Sequence, residues 1–290
     1  MKKEGEHIDL KNIDQKSKAF FAGGKFVWKK SEADVWAELE ARLSDRNAPK
    51  IIFLNSSHTK WLVAAGIAIL LSIGGFMRFY TVTVQAIAGQ HLETRLPDQS
   101  EVKLNAESSI SYHPYWWKIN RQVKFEGEAF FKVEKGRKFT VVSRKGLTQV
   151  LGTSFNIFAR EEIYKVVCIT GTVRVKSKQG NEAIIKSNSK AEIKSNGQID
   201  VLTNIETYPE ISWRRNIFLF TATPVREVFS EIERQYGVKI DIEMDDNSLY
   251  TGNFTKDQNV EEILEYVCPA MGFRFARKSA GEYVIIPGNE

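Results

Sequence analysis

Four histidines (His7, His58, His91, His113) and two cysteines (Cys168, Cys268) are the whole imidazole and thiol stock of the chain. They are scattered. No Cys/His spacing closes a metal site, there is no H-E-x-x-H, and no G-x-S-x-G presents a serine nucleophile. The paired carboxylates Glu161–Glu162 read as a solvated turn. Glu128, within "FEGEAFF", has two readings. It is a catalytic carboxylate, or it ties down backbone N–H groups or pairs with a base such as Arg121, and the structural role is preferred. "YHPYWWKINR" (Tyr112–Arg121) is dense in aromatics. It is a stacking platform for a sugar, or a loop that covers a sheet or leans toward a partner; the loop is preferred. Each cysteine stands among apolar neighbours, which favours two buried free thiols over a disulfide. An enzyme is not expected, and neither a cofactor nor a metal. A Ser, Asp or Glu with a perturbed pKa in a deep cleft would reverse that expectation.

The elements that position these residues begin with "WLVAAGIAILLSIGGFMRFY", Trp61–Tyr80. It is uncharged from Trp61 to Met77, and a helix of ~20 residues covers the ~30 Å hydrocarbon core of a bilayer. Arg78 can snorkel, while Trp61, Phe79 and Tyr80 suit the headgroup level. The alternative is a buried globular helix, but the run lacks a polar face and has charged neighbours. A cleavable leader would have its apolar core much nearer the start. Arg46, Lys50 and Lys60 precede the segment, and Arg78, Arg95 and Lys103 follow it, a slight bias toward an inward N-terminus. The short Lys-rich piece therefore stays inside and the long C-terminal part is exported. The formal charge of +5 is dispersed, with no Lys/Arg stripe for nucleic acid.

Before the segment lies an aromatic cluster at Phe20, Phe21, Phe26 and Trp28, then "SEADVWAELEARLSD". Ser31 is an N-cap, with Glu32 and Asp34 in the first turn beside the positive end of the helix dipole. Val35, Trp36, Leu39 and Leu43 fall on one face. One such helix cannot build a core. It packs into a small helical hairpin or on the membrane surface, or lays its stripe into a groove of a partner with Trp36 as anchor.

After the segment, apolar residues alternate with period two. Val82, Val84, Val102, Leu104, Val123, Phe125, Phe131 and Phe155 mark strands, and Gly127, Gly152 and Gly171 are expected at turns. That is an all-β domain, a sandwich or a solenoid. From Asn216 the pattern becomes strand–helix–strand twice. Thr223 is the expected cap and Pro224 the first residue of one helix; Asn259 caps a second, from about Val260 to Ala270. This is a small α+β domain.

"LPDQSEVKLNAESSISY", "RQVKFEGEAFFKV", "VLGTSFNIFA" and the Gly171–Val173–Val175 strand, in that order, resemble the FecR family. Gln99 stands where the family usually has Gly, and a type I turn is expected to accommodate it without positive φ. "FTATPVREVFSEIERQYGVKI" and "TGNF…VEEILE" look like the short N-terminal domain of secretins and TonB-dependent transporters. The resemblance implies a transmembrane anti-sigma factor of a Gram-negative inner membrane, crossing once, N-terminus cytoplasmic and C-terminal domains periplasmic. Its implied partners are an extracytoplasmic-function sigma factor inside, and outside the signalling domain of a TonB-dependent transporter for iron–siderophore or glycan uptake. Intramembrane and periplasmic proteases would cut it.

The expected layout is residues 1–60, an α-helical sigma-binding tail; 61–80, a transmembrane helix; 81–202, the FecR-type β domain; 203–215, a linker; and 216–288, the α+β (βαβ-βαβ) domain. Val35, Trp36, Leu39 and Leu43 are expected to meet the sigma factor, and Phe218, Phe220, Tyr250 and Phe254 the transporter domain. A passive adhesion or scaffold module is the alternative, and it would need no tail with a binding face.

Overall fold

The computed structural model describes residues 18, 22–23, 29–44, 56–243 and 248–288. Phe20, Phe21, Phe26, Trp28, Arg46 and Lys50 lie outside them. The chain divides into two units, Met1–Gly66 and Ile67–Glu290.

In the first unit, α1 spans Glu32–Ser44. The Ser31 hydroxyl accepts from the Asp34 N–H at 3.2 Å, and the Asp34 carboxylate accepts from the Ser31 N–H at 3.2 Å. This reciprocal cap satisfies donors that the first turn cannot pair internally. Glu38 bridges Lys30 and Arg42 along the polar side. No residue of α1 is buried.

Helix α2, Ser56–Phe79, runs across the boundary between the units. Its 24 residues give a length of about 36 Å. Over His58–Phe79 it is long and apolar enough to cross a membrane, and no residue of its apolar window is buried. Ser72 donates its hydroxyl to Ala68 O at 2.8 Å, the arrangement that hides a polar group in an apolar surrounding.

The second unit opens with β1 (Val82–Ala86), β2 (Leu92–Arg95), β3 (Glu101–Leu104), β4 (Ser108–Tyr112) and β5 (Arg121–Lys132). It continues with β6 (Phe139–Val142), β7 (Gly146–Val150), β8 (Ser154–Arg160) and β9 (Ile163–Thr170). Then come β10 (Thr172–Ser177), β11 (Glu182–Lys186), β12 (Ser189–Ile193) and β13 (Ile199–Thr203). The long strand β5 belongs to two sheets. Its first half pairs with β4 and β6, its second with β3 and β8. The strands close over one core that includes Leu104, Val123, Phe125, Phe131, Phe139, Phe155 and Tyr164.

Gly127 marks the change of sheet. It is not at a turn but inside β5, at φ +102, and a Cβ there would stand 2.6 Å from Ser108 Cα. Only glycine permits that backbone and that approach. Gln99 also departs from expectation. Its N–H closes the Leu96–Gln99 turn at 2.9 Å, and it takes φ 68, so the hairpin does demand positive φ there.

A short helix α3 (Tyr208–Ile211) leads to β14 (Ile217–Pro224), α4 (Val225–Tyr236), β15 (Lys239–Ile242), β16 (Leu249–Thr255), α5 (Val260–Ala270), β17 (Phe273–Ser279) and β18 (Glu282–Pro287). The two strand–helix–strand units do not each make a parallel pair. β14 pairs with β16, and β15 lies parallel to β18, which pairs with β17. Val225, Val228, Phe229 and Ile232 of α4 and Ile263, Leu264 and Val267 of α5 fill the space between these sheets. Asn259 and Glu262 form a capping box on α5. Thr223 makes no such cap on α4. Pro224 holds the N-cap position in an extended conformation, and the Val225 N–H is satisfied by Ser248 O at 3.0 Å. Cys168 and Cys268 are free and buried, and burial raises the thiols to about 11 and about 12.

Candidate functional site: a polar seam and two docking faces

Strand β5 alternates strictly, so its odd residues enter the β core and its even residues face away. Phe130 therefore points out of that core and is buried in the core of the C-terminal lobe with Trp213 and Phe218. Arg214 stacks over the Phe130 ring at 3.7 Å. Glu128, two residues earlier, faces the same seam. Its carboxylate accepts from Asn105 Nδ2 at 2.7 Å and Asn156 Nδ2 at 2.8 Å. Asn156 Oδ1 accepts from the Trp213 indole at 3.3 Å. Asn105 Oδ1 accepts from Gln235 Nε2 of α4 at 2.8 Å, and Gln235 Nε2 also reaches Glu231 Oε1 at 2.7 Å. His91 Nε2 lies 2.9 Å from Gln235 Oε1. Lys256 adds a bond to Gly89 O at 2.6 Å, and Gly89 donates to Arg234 O at 2.8 Å. A continuous hydrogen-bonded seam thus ties the β lobe to α4.

The electrostatics follow from burial. Desolvation raises the Glu128 carboxyl to about 7, with the Glu231 charge adding and Arg160 and the two asparagines opposing. Burial, then the Lys256 charge, holds His91 below its ordinary range. Glu128 does not pair with Arg121, which forms its ion pair with Asp98 and steadies the Leu96–Gln99 turn. Both Glu128 oxygens accept from side-chain carboxamides, not from backbone N–H groups, and the residue also borders a cleft of about 290 Å³ beside β14. Among the described residues, no group of three or more His, Cys, Asp or Glu is placed to hold a metal.

Two faces remain open. On α1, Val35, Trp36, Leu39 and Leu43 all face solvent, Trp36 at 63 % exposure. In the C-terminal lobe, Phe218, Tyr250 and Phe254 turn inward instead, at 4 %, 8 % and 2 %. Phe218 stacks on Phe254 at 4.9 Å, and half-buried Phe220 packs against both Tyr250 and Phe254. These rings hold β14 and β16 together and, except for Phe220, offer a partner no surface. Among the described residues β14 pairs with β16 and with no second strand. Beside it lies the same cleft of about 290 Å³, lined also by Phe158, Ile163, Leu219, Phe220 and Arg226.

Sequence reasoning missed Asn105, Asn156, Gln235 and His91. Each takes its role in the seam from a bond to a residue distant in sequence, which local pattern does not announce.

The family model described as "FecR protein" matches residues 82–174, and that described as "FecR, C-terminal" matches residues 217–286. Two solved structures of a "putative anti-sigma factor" from Parabacteroides distasonis are similar, with 26 % identity over 72 % of this chain and 100 % of that one, at TM-scores of 0.65 and 0.66. No curated protein matches the chain. The two matched segments run from β1 into β10 and from β14 into β18, together more than half of the sequence, and the chain belongs to the FecR family.

Proposed function

We propose that this chain is a single-pass inner-membrane anti-sigma factor whose α1 captures an extracytoplasmic-function sigma factor on the cytoplasmic side. The observation that carries the reading is the exposed apolar stripe of α1, which precedes in sequence a membrane-length helix and a FecR body. A lone amphipathic helix with an exposed Trp needs a groove to fill, and buried aromatics dominate such contacts. The likeness to a structure described as an anti-sigma factor supports the same role.

On the periplasmic side, the edge of β14 suits an added strand from the signalling domain of a TonB-dependent transporter. Main-chain bonds would supply affinity, and the neighbouring cleft would read alternate side chains. Proteases of the membrane and periplasm would then release the tail. The test is co-purification of the full chain, solubilised from native membranes, with a sigma factor. Recovery without one, or an unchanged transcriptional response after deletion of residues 1–45, overturns the reading in favour of a passive envelope scaffold.

A further inference from the structure

The aromatic loop between β4 and β5 is built onto the end of α2. Pro114–Trp116 is one 3-10 turn. Trp117 plugs it into the β core at 4 % exposure, edge-on to Tyr112 and Phe139. His113 Nδ1 stands 3.0 Å from Tyr80 O and 3.1 Å from Thr81 Oγ1, fixing the loop to the chain as it leaves the helix. Tyr115 lies against Phe76 at 6.3 Å and Tyr80 at 5.5 Å. Arg78 lies over the Trp116 ring at 5.3 Å. Arg137, from the loop before β6, donates to Lys118 O.

Phe76 sits inside the apolar run, before the first charge at Arg78. A ring that touches Phe76 shares its depth along the helix axis. Tyr115 and Ile119 nevertheless remain open at 52 % and 65 % exposure, beside the cations Arg78, Lys118 and Arg137. Apolar and aromatic tips ringed by cations are what a headgroup layer accepts: rings settle at the interface, and Lys and Arg meet anionic phosphates.

We propose that the Tyr115–Ile119 loop, with Arg78 and Arg137, is a membrane foot that beds into the phospholipid headgroup layer around the end of α2. The foot is rigidly continuous with the β core through Trp117, so it fixes how that lobe stands on the bilayer. Tyr115 and Ile119 gain apolar cover from lipid, and the cations gain phosphate partners. The inference rests on α2 crossing the membrane.

The test uses the full chain in nanodiscs of mixed zwitterionic and anionic phospholipid. An environment-sensitive label is placed by Ile119→Cys, by Leu70→Cys inside the helix and by Tyr266→Cys on the C-terminal lobe. Cys168 and Cys268 are buried and stay unlabelled. Lipid quenchers carried shallow and deep in the acyl chain compete with aqueous iodide. The label at residue 119 is expected to be quenched by the shallow lipid probe and shielded from iodide, and the label at 70 by the deep probe. Tyr115→Ser with Arg137→Glu should return the residue 119 label to iodide. If residue 70 is quenched by lipid while residue 119 is as open to iodide as residue 266, the foot is wrong and the span stands. If residue 70 is itself open to water, the span fails. Shielding of residue 119 in native envelopes but not in nanodiscs assigns the surface to a protein and overturns the proposal.

Discussion

Helices α1 and α4 are near twins in sequence and opposites in environment. Each is short, acidic in its first turn and striped on one side: Val35, Trp36, Leu39 and Leu43 against Val225, Val228, Phe229 and Ile232. The stripe of α4 is sealed to 1 % exposure or less, and Gln235, at its flank and braced by Glu231, ties the helix to Asn105 of the β lobe. The stripe of α1 is bare. Periodicity therefore tells which face wants cover but not what supplies it. The cover of α4 lies elsewhere in its own chain, whereas among the described residues nothing buries the stripe of α1.

The largest expected effect tests the buried twin. Phe229→Ala should destabilise the C-terminal lobe by about 3–5 kcal/mol, read as a drop in thermal midpoint, because it removes a fully buried ring and leaves a cavity. Trp36→Ala should leave that midpoint unchanged, and a comparable loss there would erase the contrast.

The polar side of α4 gives the next effect. A Glu128 carboxyl raised from 4.5 to about 7 is neutral in the fold where the unfolded chain is already ionised. Stability then falls as pH rises from about 4.5 to about 7 and levels above it. Glu128→Gln cannot titrate, while His91, Glu231 and Arg160 are common to both proteins. The stability of the parent relative to the variant should drop across that window by at most about 3 kcal/mol. A flat difference between urea midpoints measured at pH 5 and pH 8 would place the titration elsewhere.

Trp36→Ala reads on the bare twin. Affinity for the sigma factor should weaken by about 2 kcal/mol, about 30-fold in Kd by calorimetry, with Leu43→Ala weakening it less. Equal binding would mean that α1 is not the contact. The smallest effect is the Asn259→Ala cap of α5, about 1 kcal/mol, read by denaturant midpoint.

Much of the framework was legible in the residues. The alternation at Val123, Phe125 and Phe131 placed β5, and the Asn259 cap placed α5, because those signals are local. What escaped was set by contact at a distance. Thr223 looked like a cap, yet Ser248 O takes the N–H it would have served. Gln99 looked tolerable in an ordinary turn, yet hairpin closure forces it to positive φ. Arg121 seemed the natural mate of Glu128, yet strand parity puts their side chains on opposite faces of β5. Phe218, Tyr250 and Phe254 looked like a contact surface because aromatic strands bind partners as readily as they fill cores. Burial alone separates the two.

The strand that follows α2 leads to one further consequence. Among the described residues β1 is held by five register pairs to β4 and by no other strand, whereas β5 pairs with four strands and is flanked on both sides at Val123–Lys124 and Ala129–Lys132. A chain under tension from the bilayer would load β1 first, peeling it one pair at a time like tape from an edge, while β5 waits behind every other ladder. The part of the body nearest the helix is thus also the part that opens most cheaply, so amide exchange should run fastest at Val82–Ala86 and slowest along Arg121–Lys132.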